Sequence, residues 1–560
     1  MPMNQTIKNR CVKTQTARLT QIALATSVVL AGLAAPAHAI EIDTGNDDVT
    51  VRWDNQIRYG LGMRVEGINP AFANNPQTDA TELSAKKGGV IMNRADLLSE
   101  VDVVYKGNFG GRVSVAAWND MSMSKDMTNN TNLGMAQGNL PYQLSGESKR
   151  YLVGPSGEFM DAFVFGKFDA GSVPVNLKLG KHVTYWGEGL FNLFHSISYS
   201  QAPLDLRKAA ASPGIDAKEV FLPINQLSAQ AQLSDDLSFG YQYMLDWKAA
   251  RLPPGGTYFG NADIIQSDSS PALFPFSEPA NPSKKSGQFG ANLRWSPQGL
   301  GGTAGVYYRK FNEVMPWGFV KMNAVTPQNL HFAYAKDTEL YGVSFTSNLN
   351  GVNVGSELSM RKNTALISGA TPLDASVYNF QGVEGARGDT MHFLVNSIYV
   401  LPKTPLFDGG SLQAEFVYSR LDKVTSNPGL FNGEGTTQCA TTASLRATDI
   451  GCATKDYYGI QLGGNFDYPQ VFPGVNMSVP FSVSYGLKGN AAIPGGGNEG
   501  AASWSLGVTA SYLNKHNFSL KYNDSHVRNT VLPNGTVVQN GTTAIANNHA
   551  WVSFTYKTSF

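Results

Sequence analysis

The residues of this sequence best equipped for chemistry gather in one apolar stretch. Between Trp186 and Pro223 the chain sets Trp186, Glu188, Asp205, Arg207, Lys208, Asp216, Lys218 and Glu219 among Leu, Ile, Phe and Ala. A segment so apolar makes a poor tip in water, so its charges are expected to meet partners inside the protein. Catalytic readings fare worse. His182, His195, His331, His392, His516, His526 and His549 are scattered, and none stands at His-x-x-x-His spacing, so no metal site is expected. A nucleophilic Ser/His site could use His182 or His392 with a distant serine, but histidine as polar lining is the simpler reading. The run Gly495-Gly496-Gly497 lacks the Lys-Ser/Thr of a phosphate cradle. We therefore expect no catalytic residue, no enzyme activity and no cofactor.

The elements that must position that stretch are strands. In Val49 to Val65 the residues Val49, Val51, Trp53, Ile57, Tyr59, Leu61, Met63 and Val65 share one face, while Thr50, Arg52, Asp54, Gln56, Arg58 and Arg64 share the other; Asn55 is the one break. That run exceeds the ~9–11 residues that cross a bilayer at a tilt. The last stretch, His549 to Phe560, alternates in the same way. Phe554, Tyr556 and the final Phe560 lie on its apolar face, the pattern that barrel assembly machinery reads in the closing strand of an outer-membrane barrel. Long polar connections and short turns alternate between the strands, as at Asn350-Gly351, where both residues tolerate positive φ. The strands count to eighteen, with sixteen the nearest alternative, all antiparallel. Aromatics near strand ends, among them Tyr59, Tyr105, Tyr185, Trp247, Trp295, Tyr485 and Tyr512, are expected in a girdle facing lipid and lipopolysaccharide.

Residues 1–39 have the three parts of a secretory signal: Lys8, Arg10, Lys13 and Arg18, an apolar run from Ile22 to Ala35, and Ala37-His38-Ala39. Cleavage between Ala39 and Ile40 is expected, because a run of about fourteen residues is too short for ~30 Å of hydrocarbon. Residues 40–560 then form one domain, since no linker divides them. Lys+Arg and Asp+Glu both number 43, and a chain without a basic excess is a poor partner for nucleic acid. Cys439 and Cys452 flank a polar stretch, and an oxidising envelope favours a disulfide between them; two free thiols are the alternative.

Leu179-Gly-Lys-x-x-x-x-Trp-Gly-Glu188, then Pro203-Leu-Asp205, then Pro213-Gly-Ile-Asp-Ala-Lys-Glu219 resemble the proteobacterial outer-membrane family called domain of unknown function 1302. Tyr243-x-x-x-Trp247-x-x-x-Arg251-x-x-Pro254-x-Gly256-x-Tyr258-Phe259 is similar to that family too. The resemblance implies a large outer-membrane barrel that passes hydrophobic or aromatic nutrients. Within such a barrel, residues 186–223 are expected to fold into the lumen and narrow it. Their charges would pair with wall residues Arg52, Arg58, Asp96, Glu100, Asp102, Lys178 and His182, at ~0–1 kcal/mol each in a water-filled lumen. Mixed wall charge implies no strong ion preference. The reading is a monomeric, passive outer-membrane channel for small apolar or aromatic compounds. A surface binding barrel with a sealed lumen is the alternative, and a lipid-acting barrel enzyme the third.

Overall fold

In the computed structural model the described residues are 40–560, apart from 76–77, 124–125, 129, 131–141, 145, 261–262, 264–285, 318, 323–329, 370, 374–383, 441–444, 532–536 and 542–543. The signal and Ala39 lie outside them. One sheet holds nineteen strands, the first of which, Ile40–Ile42, is a three-residue piece. The other eighteen close on themselves: β1 (Val49–Arg64), β2 (Val90–Tyr105), β3 (Phe109–Asp120), β4 (Ser156–Ala170), β5 (Val173–His182), β6 (Ile224–Ser234), β7 (Leu237–Met244), β8 (Gln288–Trp295), β9 (Gly302–Phe311), β10 (Thr338–Leu349), β11 (Val352–Ala365), β12 (Arg387–Leu401), β13 (Gly409–Ser426), β14 (Asp456–Phe472), β15 (Val475–Lys488), β16 (Ala502–Tyr512), β17 (His516–His526) and β18 (Trp551–Ser559). Each pairs antiparallel with its neighbour, and β18 returns to β1 in a register running from Gln56↔Ser559 to Arg64↔Trp551. Past that register Asn55 N–H donates to Phe560 O at 2.7 Å. Ile40–Ile42 then continues the same row against Val51–Trp53. The final residues expected to close a barrel do close it.

The burial pattern is the reverse of a soluble domain. Trp53, Leu61 and Met63 of β1 are exposed outside while Arg58 and Arg64 are buried inside. The same inversion runs round the wall: Val164, Val306, Leu506 and Leu520 are exposed, and Gln226, Gln242, Arg309, Glu357, Arg361 and Glu415 are buried. An apolar exterior over a polar interior, with every strand edge paired, is the arrangement that hydrocarbon permits. The protein is an eighteen-stranded barrel of the outer-membrane type. Short turns gather at one end, including Asn350-Gly351 with φ of 51° and 88°, the positive values a two-residue hairpin needs. Long loops gather at the other, the extracellular end by the usual asymmetry.

Among the expected girdle residues, Tyr105, Trp295, Tyr485 and Tyr512 are exposed on the outer face. Trp247 is not among them; it is buried against Phe332 and Tyr334 in the extracellular loops. Tyr185 turns away from lipid as well, donating its hydroxyl to Gly189 O and meeting Phe221 edge-on. In both cases the chain has already left the strand, so the period-two rule no longer sets where the ring points. Cys439 and Cys452 are joined, closing one of the extracellular loops.

Candidate functional site

The chain leaves β5 at His182 and re-enters the wall at Ile224. Between them it crosses the lumen as irregular backbone with two short helices, α1 (Leu206–Ala211) and α2 (Ala217–Val220). Irregular backbone taken out of water must find acceptors for its N–H groups, and the far wall supplies them. Glu357 on β11 accepts from the backbone N–H of Glu188, of Gly189 at 2.9 Å and of Ile197 at 2.7 Å. Glu415 on β13 accepts from Leu190 at 2.6 Å, Phe191 at 3.2 Å and Asn192 at 2.6 Å. Two wall arginines serve the carbonyls. Arg309 donates to Ile197 O and Tyr199 O at 2.8 and 2.7 Å, and Arg361 donates to Ser196 O at 3.0 Å while lying over the Tyr199 ring. Gly187, at φ +94°, comes so close to the wall that a Cβ there would sit 2.3 Å from Glu357 Oε1; only glycine allows that approach.

Histidines add a latch. His195 Nε2–H donates to Gly496 O at 2.6 Å, which leaves its Nδ1 to accept from His392 Nδ1–H at 3.0 Å; His392 Nε2 then accepts from the Thr390 hydroxyl at 2.9 Å. The partners assign both tautomers as neutral. Burial pushes His195 down to about 4, so it stays uncharged.

The second half of the crossing is held by charge. Glu219 meets Arg58 at 2.9 Å, and Arg58 also meets Asp96 at 3.3 Å, which Arg94 approaches at 2.9 Å. Lys218 pairs with Glu100, Asp216 with Lys557 at 2.6 Å, and Arg207 with Glu147 at 2.7 Å. Although burial opposes it, the Lys557 ammonium holds Asp216 below the usual carboxylate range. Asp205 caps α1 by accepting from Lys208 N–H at 3.0 Å and also meets Arg251 at 2.8 Å. Arg251 and Lys208 converge on Glu158 of β4, at 2.7 and 3.3 Å. The Arg58 and Glu219 side chains are only 3% and 4% exposed, so the expectation of weak, water-screened pairs does not describe them.

Four of the wall residues named from sequence do not meet the crossing. Arg52 pairs with Asp54 at 2.8 Å, Asp102 with Arg112 at 2.7 Å, and the Lys178 ammonium stands 5.2 Å from the centre of the Phe163 ring. These three lie nearer the short turns than Arg58 and Asp96, where of the segment's charges Lys218 reaches furthest, to a cavity it shares with Arg52. His182 is satisfied by its own surroundings, Gly180 O at 3.0 Å and Ser228 Oγ at 2.7 Å. Trp186 lies against Gly290 and the Tyr307 ring, and the Glu188 carboxylate stands 3.6 Å from Arg294. Glu158, Arg251, Arg309, Glu357, Arg361, Glu415 and Lys557 were missed. Glu357 and Glu415 do carry a signal, since their parity puts a carboxylate inside, but nothing local names the backbone they serve.

Beneath the crossing, on the side of the short turns, lies an open cavity of about 520 Å³ bounded by Arg52, Asp102, Arg112, Phe163, Phe165 and Lys178, among others. A second, of about 340 Å³, adjoins it through Arg52 and Arg112 and reaches Lys218 and Phe560. Among the described residues, no group of three His, Cys, Asp or Glu side chains is placed to hold a metal ion.

Among solved structures the chain is similar to Acinetobacter baumannii OccAB4, with a TM-score of 0.42 and 10% identity over 94% of this chain and 100% of that one. It is also similar to Acinetobacter baumannii OccAB2 (TM-score 0.43, 9% identity, 93% and 99% covered) and to Pseudomonas aeruginosa OpdK with vanillate (0.40, 10%, 91% and 98%). No curated protein matches the sequence. The family model described as protein of unknown function (DUF1302) matches residues 20–560, and over that extent the chain belongs to the DUF1302 family.

Proposed function

We propose that this barrel is a passive outer-membrane channel whose pore is set by residues 183–223 and which admits small hydrophobic or aromatic compounds. The observation that carries the reading is the crossing itself: one segment spans the lumen from β5 to the opposite wall at β11 to β13, with open space beneath it. Tyr185 and Leu190 keep 40% and 36% of their surface exposed on that segment, which gives apolar solutes something to slide past. A second reading is favoured by the depth of the anchorage, since Ile197 and Tyr199 are almost wholly buried: a barrel with a sealed lumen that binds through its extracellular loops. Swelling of proteoliposomes in neutral sugars separates the two. Swelling above that of empty liposomes supports the channel; none would leave only the sealed barrel.

A further inference from the structure

The cavity below the crossing is lined unlike the rest of the lumen. Where β3 pairs with β4 the register shifts between Val113 and Val115, a bulge of the kind that re-aims side chains. Before it, even-numbered residues of β4 point inward, Glu158 to the crossing and Met160 to a buried cluster, while Phe159 is 62% exposed outside. After it the parity reverses: Val164 is 61% exposed outside, and Phe163, Phe165 and Lys167 line the cavity. Two aromatic rings are thus turned from lipid into lumen water, a displacement that costs free energy unless something covers them.

What stands beside the rings is cationic. Arg52, Arg112, Lys167 and Lys178 line the same space with one carboxylate, Asp102, and both of its oxygens are taken by Arg112 at 2.7 and 2.8 Å. Arg52 is occupied by Asp54. Among the described residues neither Lys167 nor Lys178 is in a salt bridge, although the Asp161 carboxylate lies near enough to feel Lys178 and Asp169 shares the adjoining recess with Lys167; Lys178 rests over the Phe163 ring at 5.2 Å, which orients its ammonium without neutralising it. Since Phe165 pairs with Lys178 and Lys167 with Asn176 across β4 and β5, the two ammonium groups and the two rings share one patch of wall.

We propose that this vestibule is a binding site for an organic anion carrying an aromatic ring, its carboxylate held by Lys167 and Lys178 and its ring laid on Phe163 and Phe165. The proposal rests on the channel reading and sharpens its substrate class, from apolar or aromatic compounds in general to aromatic carboxylates. The test is single-channel recording of the purified full chain in a planar bilayer, with benzoate, acetate or benzylammonium added on the short-turn side. Benzoate should interrupt the current at a concentration roughly tenfold lower than either of the others. In the Lys167→Gln/Lys178→Gln variant that concentration should rise about fivefold, whereas Phe163→Leu/Phe165→Leu should erase the advantage of benzoate over acetate and keep that of acetate over benzylammonium. Both variants must still conduct, which reports that they have folded. Equal blockade by all three probes, or a benzoate response unchanged in the lysine variant, overturns the vestibule site and leaves the channel standing. A full chain that never conducts overturns the channel reading itself.

Discussion

The crossing and the vestibule lie in one lumen a few residues apart, yet they are built by opposite rules. In the crossing every charge has a partner and much of it is dry: Arg58, Glu219, Asp205 and Arg207 are almost fully buried. In the vestibule the charges are wet, and among the described residues Lys167 and Lys178 are in no salt bridge. The cost of burying an ion is recovered only where geometry and further hydrogen bonds are good, so the saturated region is fixed in place, while the unsaturated one stays available to a solute. Position in the lumen and pairing together separate scaffold from site.

The contrast is broken most severely at Glu357. Glu357→Ala leaves three buried N–H groups without an acceptor, at ~1–3 kcal/mol each. Hydrogen exchange at Glu188, Gly189 and Ile197 should accelerate by orders of magnitude while the strand amides stay protected; Glu357→Gln, which keeps one acceptor oxygen, should be milder. Arg58→Ala strands Glu219 and leaves Asp96 to Arg94 alone, a loss of about 3 kcal/mol, and should make the Ala217–Val220 region sensitive to added protease. Arg52→Ala, whose Asp54 partner stands in water, should shift stability by less than ~1 kcal/mol.

A further effect is set by pH. Burial lowers His195 from 6.5 to about 4, so the latch contributes fully above pH 6.5 and weakens as the pH falls through 4, with Arg361 adding repulsion. Conductance should therefore rise as the pH drops from 6.5 to 4, and His195→Phe should flatten that rise.

The barrel was legible because lipid contact and lumen contact alternate with period two, and β1 and β18 carry that alternation for nearly their whole length. The count of eighteen and the Asn350-Gly351 hairpin follow from the same local rules. The infolded segment was legible as apolar sequence in an exposed place. Its partners were not: Glu357 meets Ile197 across 160 residues and His195 meets His392 across 197, and period two says only that a side chain faces the lumen. The vestibule was hidden for a different reason. A one-residue bulge opposite Val113 to Val115 reverses the parity of β4, so Phe163 and Phe165, which strict alternation assigns to lipid, line water instead.

The claim on which the account depends is that the segment crossing the lumen sets the size of the pore. Single-channel conductance of the full chain should be compared with that of a chain lacking Gly189 to Ala217, at equal salt and neutral pH. A several-fold larger conductance in the shortened barrel is the result expected; conductances that match would contradict it.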